Sequence, residues 1–257
     1  MSMKVNLCGI EMDNPVIPAS GTFGFGKEFA ELYDINCLGT FSFKGTTLDP
    51  RFGNPTPRIA EFTGGMLNAV GLQNPGVDHV IAHELPELRK VFHKPIVANI
   101  SGFSIEEYVN CVSKLTKEDQ VEILEVNISC PNVKQGGVQF GTSVEGVAGI
   151  TKAVRAHCTK PLMVKLSPNV ESIAVNAMAA ENGGSDAISL INTLTGMAID
   201  IERRRPIIAN NTGGVSGAGV KPIAVRMVYE AAQAVSIPVI GMGGITCAED
   251  AIEFLMA

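Results

Sequence analysis

The stretch Asn127-Ile-Ser-Cys-Pro-Asn132 concentrates more chemistry than any other part of the chain. It follows an apolar run and leads into Lys134-Gln-Gly-Gly137, a glycine-containing segment that reads as a loop. A cysteine placed there could be a nucleophile, a general base or a metal ligand. The only histidines are His79, His83, His93 and His157, and all fall in predicted helices or at their ends, away from Cys130. No metal is therefore expected, and no imidazole is at hand to activate a nucleophilic thiol. What remains is a thiol acting as a base once a loop closes and water is excluded. From this motif alone, a buried structural cysteine ahead of a proline reads equally well.

Three further sets of residues share the same kind of position. Asn68, Asn127, Asn132 and Asn192 each follow or end an apolar run. One asparagine at a loop start is usually a turn residue, but four on converging ends offer donors and acceptors together, as a planar imide or ureide ring requires. Lys44 and Lys165 close two buried runs. Such an ammonium either snorkels to the rim or meets an anion, because desolvating it unpaired is costly. Glycines recur late in the chain, in Gly213-Gly-Val-Ser-Gly217-Ala-Gly219 and Gly241-Met-Gly-Gly244. Turns of this kind suit the phosphate site that β/α barrels place after their last strands. No G-x-G-x-x-G occurs, so no Rossmann-type dinucleotide site is expected.

The elements that must hold these residues can be read from short apolar runs. The first, Val5 to Met12, turns at Cys8-Gly9 and suits a small hairpin. Seven strand candidates follow at Pro15–Ala19, Leu38–Phe43, Pro95–Ile100, Glu122–Ile128, Pro161–Leu166, Ala187–Ile191 and Pro238–Gly241, rich in Val and Ile as a parallel sheet demands. Helices are predicted between them. Ser104-Ile-Glu-Glu107 is a capping-box pattern, Ser143 to Cys158 has helical apolar spacing, Val170 to Asn182 stops at Gly183, and Lys221-Pro222 opens another helix. Nearly every strand candidate ends in a polar or glycine cluster, which favours a barrel with one functional face over an open sheet. The expected fold is therefore α/β, a (β/α)8 TIM barrel with a small N-terminal β-hairpin, forming one domain over residues 1–257.

Composition narrows the function. The 257 residues carry a net charge of −6, which argues against general nucleic-acid binding. No apolar run is long enough to cross a bilayer, and no targeting segment precedes the first strand, so a cytoplasmic protein is expected. The cysteines at 8, 37, 111, 158 and 247 read as reduced thiols, mostly buried as small hydrophobes.

Asn127-Ile-Ser-Cys-Pro-Asn132, with Asn68-Ala-Val-Gly-Leu72, Ser42-Phe-Lys-Gly-Thr46, Asn192-Thr193 and Gly241-Met-Gly-Gly-Ile245, resembles the dihydroorotate dehydrogenases. The similarity spans essentially the whole chain. Cysteine at 130 resembles class 1, where class 2 carries serine, and Lys134-Gln-Gly-Gly137 is more similar to class 1B than to class 1A. The resemblance implies FMN at the barrel mouth and oxidation of dihydroorotate to orotate in pyrimidine biosynthesis, with Cys130 as base for the C5 proton while C6 gives hydride to flavin N5. It also implies substrate contacts from Lys44, Asn68, Ala69, Val70, Gly71, Leu72, Asn127, Asn132, Asn192 and Thr193. FMN contacts are implied for Ser20, Gly21, Lys44, Gly45, Asn99, Asn127, Lys165, Ile191, Gly217, Gly243 and Gly244. Class 1B enzymes pass electrons to NAD through a second subunit bearing FAD and a 2Fe-2S cluster, which implies a heterotetramer built on a homodimer of this chain. Neither a Rossmann fingerprint nor a cluster-binding cysteine spacing occurs here, in keeping with that division of labour.

Three other readings stay open at this point: a fumarate-using homodimeric class 1A enzyme, a flavin-dependent pyrimidine reductase domain like that of dihydropyrimidine dehydrogenase, and a non-catalytic barrel that binds a phosphorylated ligand. A closed barrel needs eight strands, since an open edge leaves unpaired backbone groups. Seven are counted and the sequence ends within the helix after the seventh, so an eighth strand and a final helix are expected beyond residue 257.

Overall fold

The computed structural model describes residues 3–129 and 140–257. The chain opens with a two-stranded antiparallel hairpin, β1 (Val5–Leu7) and β2 (Ile10–Met12), turning at Cys8 and Gly9. Both turn residues have positive φ. Two short helical turns follow, α1 (Ser20–Phe23) and α2 (Lys27–Ala30), and then two strands, β3 (Ile59–Phe62) and β4 (Gly65–Asn68). Helix α3 (Val77–His79) runs through a π-helical turn into α4 (Leu85–Arg89). The alternating part is β5 (Ile96–Ile100), α5 (Ile105–Leu115), β6 (Val121–Asn127), α6 (Val144–Arg155), β7 (Leu162–Lys165), α7 (Ile173–Asn182) and β8 (Ala187–Leu190). After β9 (Leu194–Met197), β10 (Ile199–Asp200), β11 (Arg205–Pro206) and β12 (Thr212–Ser216) come α8 (Lys221–Ala234), β13 (Val239–Gly241) and α9 (Ala248–Met256).

The parallel sheet runs β13-β8-β7-β6-β5. It continues through parallel bridges from Ser42 to Val97 and from Thr46 to Ile100. A further neighbour is the stretch around Val16, since Val16 and Pro18 carbonyls accept from Gly39 and Ser42 N–H groups. Pro15–Ala19 and Leu38–Phe43 therefore sit where strands were expected, although their prolines and irregular bonding keep them out of regular strand geometry. Among the described residues β13 pairs with β8 alone.

Side chains of the parallel strands alternate between two cores. Ile96, Ala98, Ile100, Leu124, Val126, Leu162, Val164, Ile188 and Leu190 face the surrounding helices and pack on Val112, Leu115, Ile150 and Val154. Val97, Ile123, Met163 and Ala187 point the other way and form one cluster with Ile17 and Ile240. Ile17 and Ile240 belong to opposite ends of the strand order, so a shared cluster requires the sheet to curl into a barrel. The hairpin plugs this end with Leu7 and Met12.

The helix starts follow their sequence signals. Ser104, Ser143 and Ser172 each accept a backbone N–H at α5, α6 and α7, caps worth about 1 kcal/mol apiece. Glu107 does not close the box on Ser104 but accepts from Phe103 N at 2.8 Å. Pro222 lies in the first turn of α8. The expected left-handed stop at Gly183 is corrected by one residue. Gly183 has φ −75° and Gly184 has φ +96°.

The sequence reading did not foresee a four-stranded antiparallel sheet, β3-β4-β12-β9, built from the β3-β4 hairpin and two separate strands. It absorbs Gly213 and Gly214, which were expected in a phosphate turn and lie in β12 instead. Glycine is required there sterically. A Cβ at Gly213 would come within 2.6 Å of the Asn68 carbonyl oxygen. Two of the five described cysteines also depart from expectation: Cys111 and Cys158 are buried, but Cys37 and Cys247 are exposed.

Candidate active site

The inward-facing positions change character along the barrel axis. Above the apolar layer of Val97, Ile123 and Met163, the next inward residues are Asn99, Glu125 and Lys165, joined by Ser42 and Ser189. This follows from strand periodicity, because a residue two positions on points to the same side. Glu125 is 1 % exposed and accepts from Ser42 Oγ at 2.6 Å, Ser189 Oγ at 2.6 Å and Asn99 Nδ2 at 2.5 Å.

Lys165 ends β7 and is 5 % exposed, yet its ammonium has no hydrogen bond or ion pair to any described residue. A buried cation left so is costly, which points to an anion that the described residues do not supply. Asn99 is fully buried, and its Oδ1 has no partner although its Nδ2 is bound to Glu125. Gly45 borders that oxygen closely. A Cβ there would lie 2.9 Å from Asn99 Oδ1 and 3.3 Å from Ser101 Oγ. Lys44, half-buried just before it, is fixed through its backbone N–H to Gly24 O at 2.8 Å.

The next polar layer is an amide and hydroxyl network. Asn127 Oδ1 accepts from Ser129 Oγ at 2.7 Å and from Asn192 Nδ2 at 3.2 Å, and Asn192 Nδ2 also reaches Ser129 Oγ at 2.6 Å. Tyr108 donates to the Asn127 carbonyl at 2.7 Å, so α5 clamps the end of β6. Asn192 Oδ1 takes the Thr193 N–H at 2.7 Å. Thr193 packs so closely on Gly214 that a Cβ there would overlap its hydroxyl, and Gly214 O accepts from Asn68 Nδ2 at 3.4 Å. Asn68, Asn127, Asn192 and Thr193 are thus joined through one continuous set of contacts. Cys130 and Asn132 lie outside the described residues, as does Lys134-Gln-Gly-Gly137.

The segment from Asn68 to Leu72 is held from both sides. Asn54 donates from its backbone to Val70 O at 2.9 Å and from its side chain to Ala69 O at 3.0 Å, while Asn74 Nδ2 reaches Leu72 O at 2.8 Å. Gly71 has φ +80°, and a Cβ there would run into Asn54 at 2.6 Å, so no other residue fits. Leu72 itself is held at φ +59°, a conformation rare for a leucine.

The remaining expected positions gather at the other rim. Ser20 is buried at the start of α1, next to exposed Gly21. Ile191 is buried and donates its backbone N–H to Met242 O at 3.1 Å, beside Gly243. A Cβ at Gly244 would lie 2.8 Å from Lys221 N and 2.9 Å from Gly217 O, so the turn after β13 rests on the start of α8. No side chain caps that helix end; the Val220 N–H bonds Gly217 O, the Lys221 N–H bonds Ala218 O, and Pro222 has no N–H to offer.

Sequence reasoning missed Glu125, Ser101, Ser129 and Asn169. Asn169 accepts Thr195 N at 2.9 Å and donates to Thr193 O at 3.1 Å, tying β9 to the site. Glu125 can be placed only once the sheet is known to curl, when it falls midway between inward Ile123 and inward Asn127 in a strand of period two. The four histidines are all exposed, as expected. Burial pushes the Cys8 thiol up to about 11 and the Cys111 thiol up to about 12, and it also raises Cys158. None of these three thiols is a base at neutral pH.

Comparison with known proteins adds an independent line. The family model described as dihydroorotate dehydrogenase matches residues 2–257. A protein of Anoxybacillus flavithermus named dihydroorotate dehydrogenase B (NAD(+)), catalytic subunit, is 55% identical over 255 residues, 99% of this chain and 81% of that relative. Proteins of the same name from Halalkalibacterium halodurans and Malacoplasma penetrans are 55% and 54% identical, each across 99% of this chain and 83% of the relative.

Proposed function

The chain belongs to the dihydroorotate dehydrogenase family, and from that premise we propose that it is the FMN-bearing catalytic subunit that oxidises dihydroorotate to orotate in the cytoplasm, with NAD as final acceptor. The observation that carries this reading is Lys165, a buried ammonium without a counter-ion among the described residues, at the carboxyl end of a barrel strand beside a network of amides. Active sites of β/α barrels form at that end.

The residues present fit FMN on three counts. Lys165 offers a cation to an electron-rich ring, the unpartnered Asn99 Oδ1 offers an acceptor, and the positive-φ glycines Gly217, Gly243 and Gly244 offer side-chain-free backbone that a phosphate can approach. Ser20, Gly21, Lys44, Gly45 and Ile191 complete the proposed cradle. Bound FMN would supply the two-electron acceptor for the substrate hydride.

The chain's own residues would do the rest. Asn68, Asn127, Asn132 and Asn192, with Thr193, would bind the pyrimidine ring by its alternating donors and acceptors. Lys44 would meet the substrate carboxylate, and the clamped segment Asn68 to Leu72 would close one side of the ring. Cys130 Sγ would take the C5 proton as thiolate. Electrons would leave through a partner subunit carrying FAD and a 2Fe-2S cluster, in a heterotetramer built on a homodimer of this chain. The names of the relatives, which specify NAD(+) and a catalytic subunit, support that route over fumarate.

The test is anaerobic. Purified protein is loaded with FMN and mixed with dihydroorotate. Loss of the visible flavin absorbance, with orotate formed in equal amount, is the expected result. Retention of oxidised flavin with dihydroorotate, or failure to take up FMN, would overturn the proposal.

A further inference from the structure

We infer that Glu125 is a positioning residue that sets which end of the Asn99 amide faces the flavin, and so makes the barrel floor specific for a ring N–H donor. The inference rests on the FMN reading above.

An amide has two ends of nearly equal size and opposite hydrogen-bonding sense. Its orientation is decided by its neighbours. Asn99 lies 2.5 Å from Glu125 Oε2. The carboxylate oxygen accepts in that contact, so the group facing it is the NH2. The carbonyl oxygen is then turned to the other side, where it is buried without a partner. Placing the NH2 outward instead would set two acceptors against each other in a buried site, an arrangement that low dielectric makes costly. Glu125 is itself held from both flanks, by Ser42 Oγ and Ser189 Oγ at 2.6 Å each. It is 1 % exposed and has no solvent to turn towards. The carboxylate thus acts as a fixed reference, and Asn99 relays its sense one step further up the barrel.

The consequence is a selection rule. An unpartnered, buried carbonyl asks for a donor. The oxidised isoalloxazine ring carries a single N–H, at N3. A ligand of the same shape without that hydrogen leaves Asn99 Oδ1 unsatisfied. Losing the partner of a buried acceptor costs on the order of tenfold or more in binding.

The experiment compares FMN with 3-deaza-FMN, in which carbon replaces N3, by fluorescence titration of the apoprotein. Wild type is expected to bind 3-deaza-FMN at least tenfold more weakly than FMN. Glu125→Gln keeps the size and lets the Ser42 and Ser189 hydroxyls turn to accept, but it no longer dictates which end of Asn99 faces it. In that variant the FMN affinity should fall about tenfold and the discrimination should narrow to within about threefold. Glu125→Asp, which withdraws the carboxylate by one methylene, is the second variant and should narrow it likewise. A role confined to folding would lower both affinities together and leave their ratio unchanged, and that result would overturn the inference. Equal affinity of wild type for both flavins would also overturn it. Absence of any FMN uptake by wild type would instead sink the underlying FMN reading.

Discussion

Replacing Lys165 by methionine separates a binding role from a structural one, because the two roles predict opposite signs. Lys165 is 5 % exposed and makes no ion pair with any described residue. Methionine keeps the length and flexibility of the side chain and removes the charge. An uncompensated buried charge destabilises its host, so the substitution should stabilise the flavin-free protein by about 1–2 kcal/mol. For a chain of this size, that corresponds to a melting temperature higher by about 2–8 °C. Binding should move the other way. A hydrogen bond to a charged group is worth about 1.5–3 kcal/mol, so FMN affinity should fall roughly 10–150-fold. The two effects meet in one assay, thermal melting with and without flavin. At FMN about 100 times the wild-type Kd, wild type gains about 2.7 kcal/mol, whereas a variant weakened about 100-fold gains about 0.4 kcal/mol. The variant should therefore melt above wild type in buffer and lose that lead in FMN. A variant that melts lower than wild type without flavin and binds FMN unchanged would refute the reasoning.

Three further outcomes are expected. Cys130→Ser should keep FMN and orotate binding but slow flavin reduction by about a hundredfold or more, and the wild-type rate should rise with pH as a thiol of pKa ~8.5 ionises, read by stopped-flow absorbance. Lys221 bonds Asp250 at 2.6 Å and Glu253 at 2.7 Å, and Asp250 also accepts Thr246 N–H and O–H. These contacts hold the Asp250 carboxyl below the usual carboxylate range, with Lys221 the largest cause. A depressed carboxylate contributes stability above its unfolded pKa and loses it as pH falls through the folded value. Asp250→Asn should thus lower the melting temperature at neutral pH, with the difference from wild type shrinking in acid. The isolated chain should not reduce NAD when given dihydroorotate, and should do so when a subunit with FAD and a 2Fe-2S cluster is added. Robust NAD reduction by the pure chain would contradict the division of labour.

The barrel strands were legible because their physics is local. Pro95–Ile100, Pro161–Leu166 and Ala187–Ile191 contain β5, β7 and β8 to within a residue or two, since a strand buried on both faces must be a continuous apolar run. Two helix starts were legible for the same reason, since Ser104 and Ser143 act on N–H groups three residues away, whereas the helix expected from Val170 begins at Ile173 under a Ser172 cap. The capping sheet was not. Its strands β3, β4, β9 and β12 have four or five residues, are half exposed, and three of the four pairing partners contain glycine. What creates it is the pairing of Asn68 with Gly214 and of Gly214 with Thr195, contacts between distant segments that leave no periodic trace in either.

The same contrast explains why the site was half readable. Lysines and amides at strand ends announce themselves, because a charge or an amide terminating an apolar run needs a reason. Glu125 does not, because a carboxylate inside a strand resembles an ordinary solvent-facing position until the sheet is known to be curled. Once it is, alternation forces Ile123, Glu125 and Asn127 onto the inner wall, with Val97, Asn99 and Ser101 beside them. Among the described residues, Ser42, Ser189 and Asn99 donate to the acidic group there. The closing of the barrel, rather than any local motif, turns a surface-like residue into the element that orients its floor.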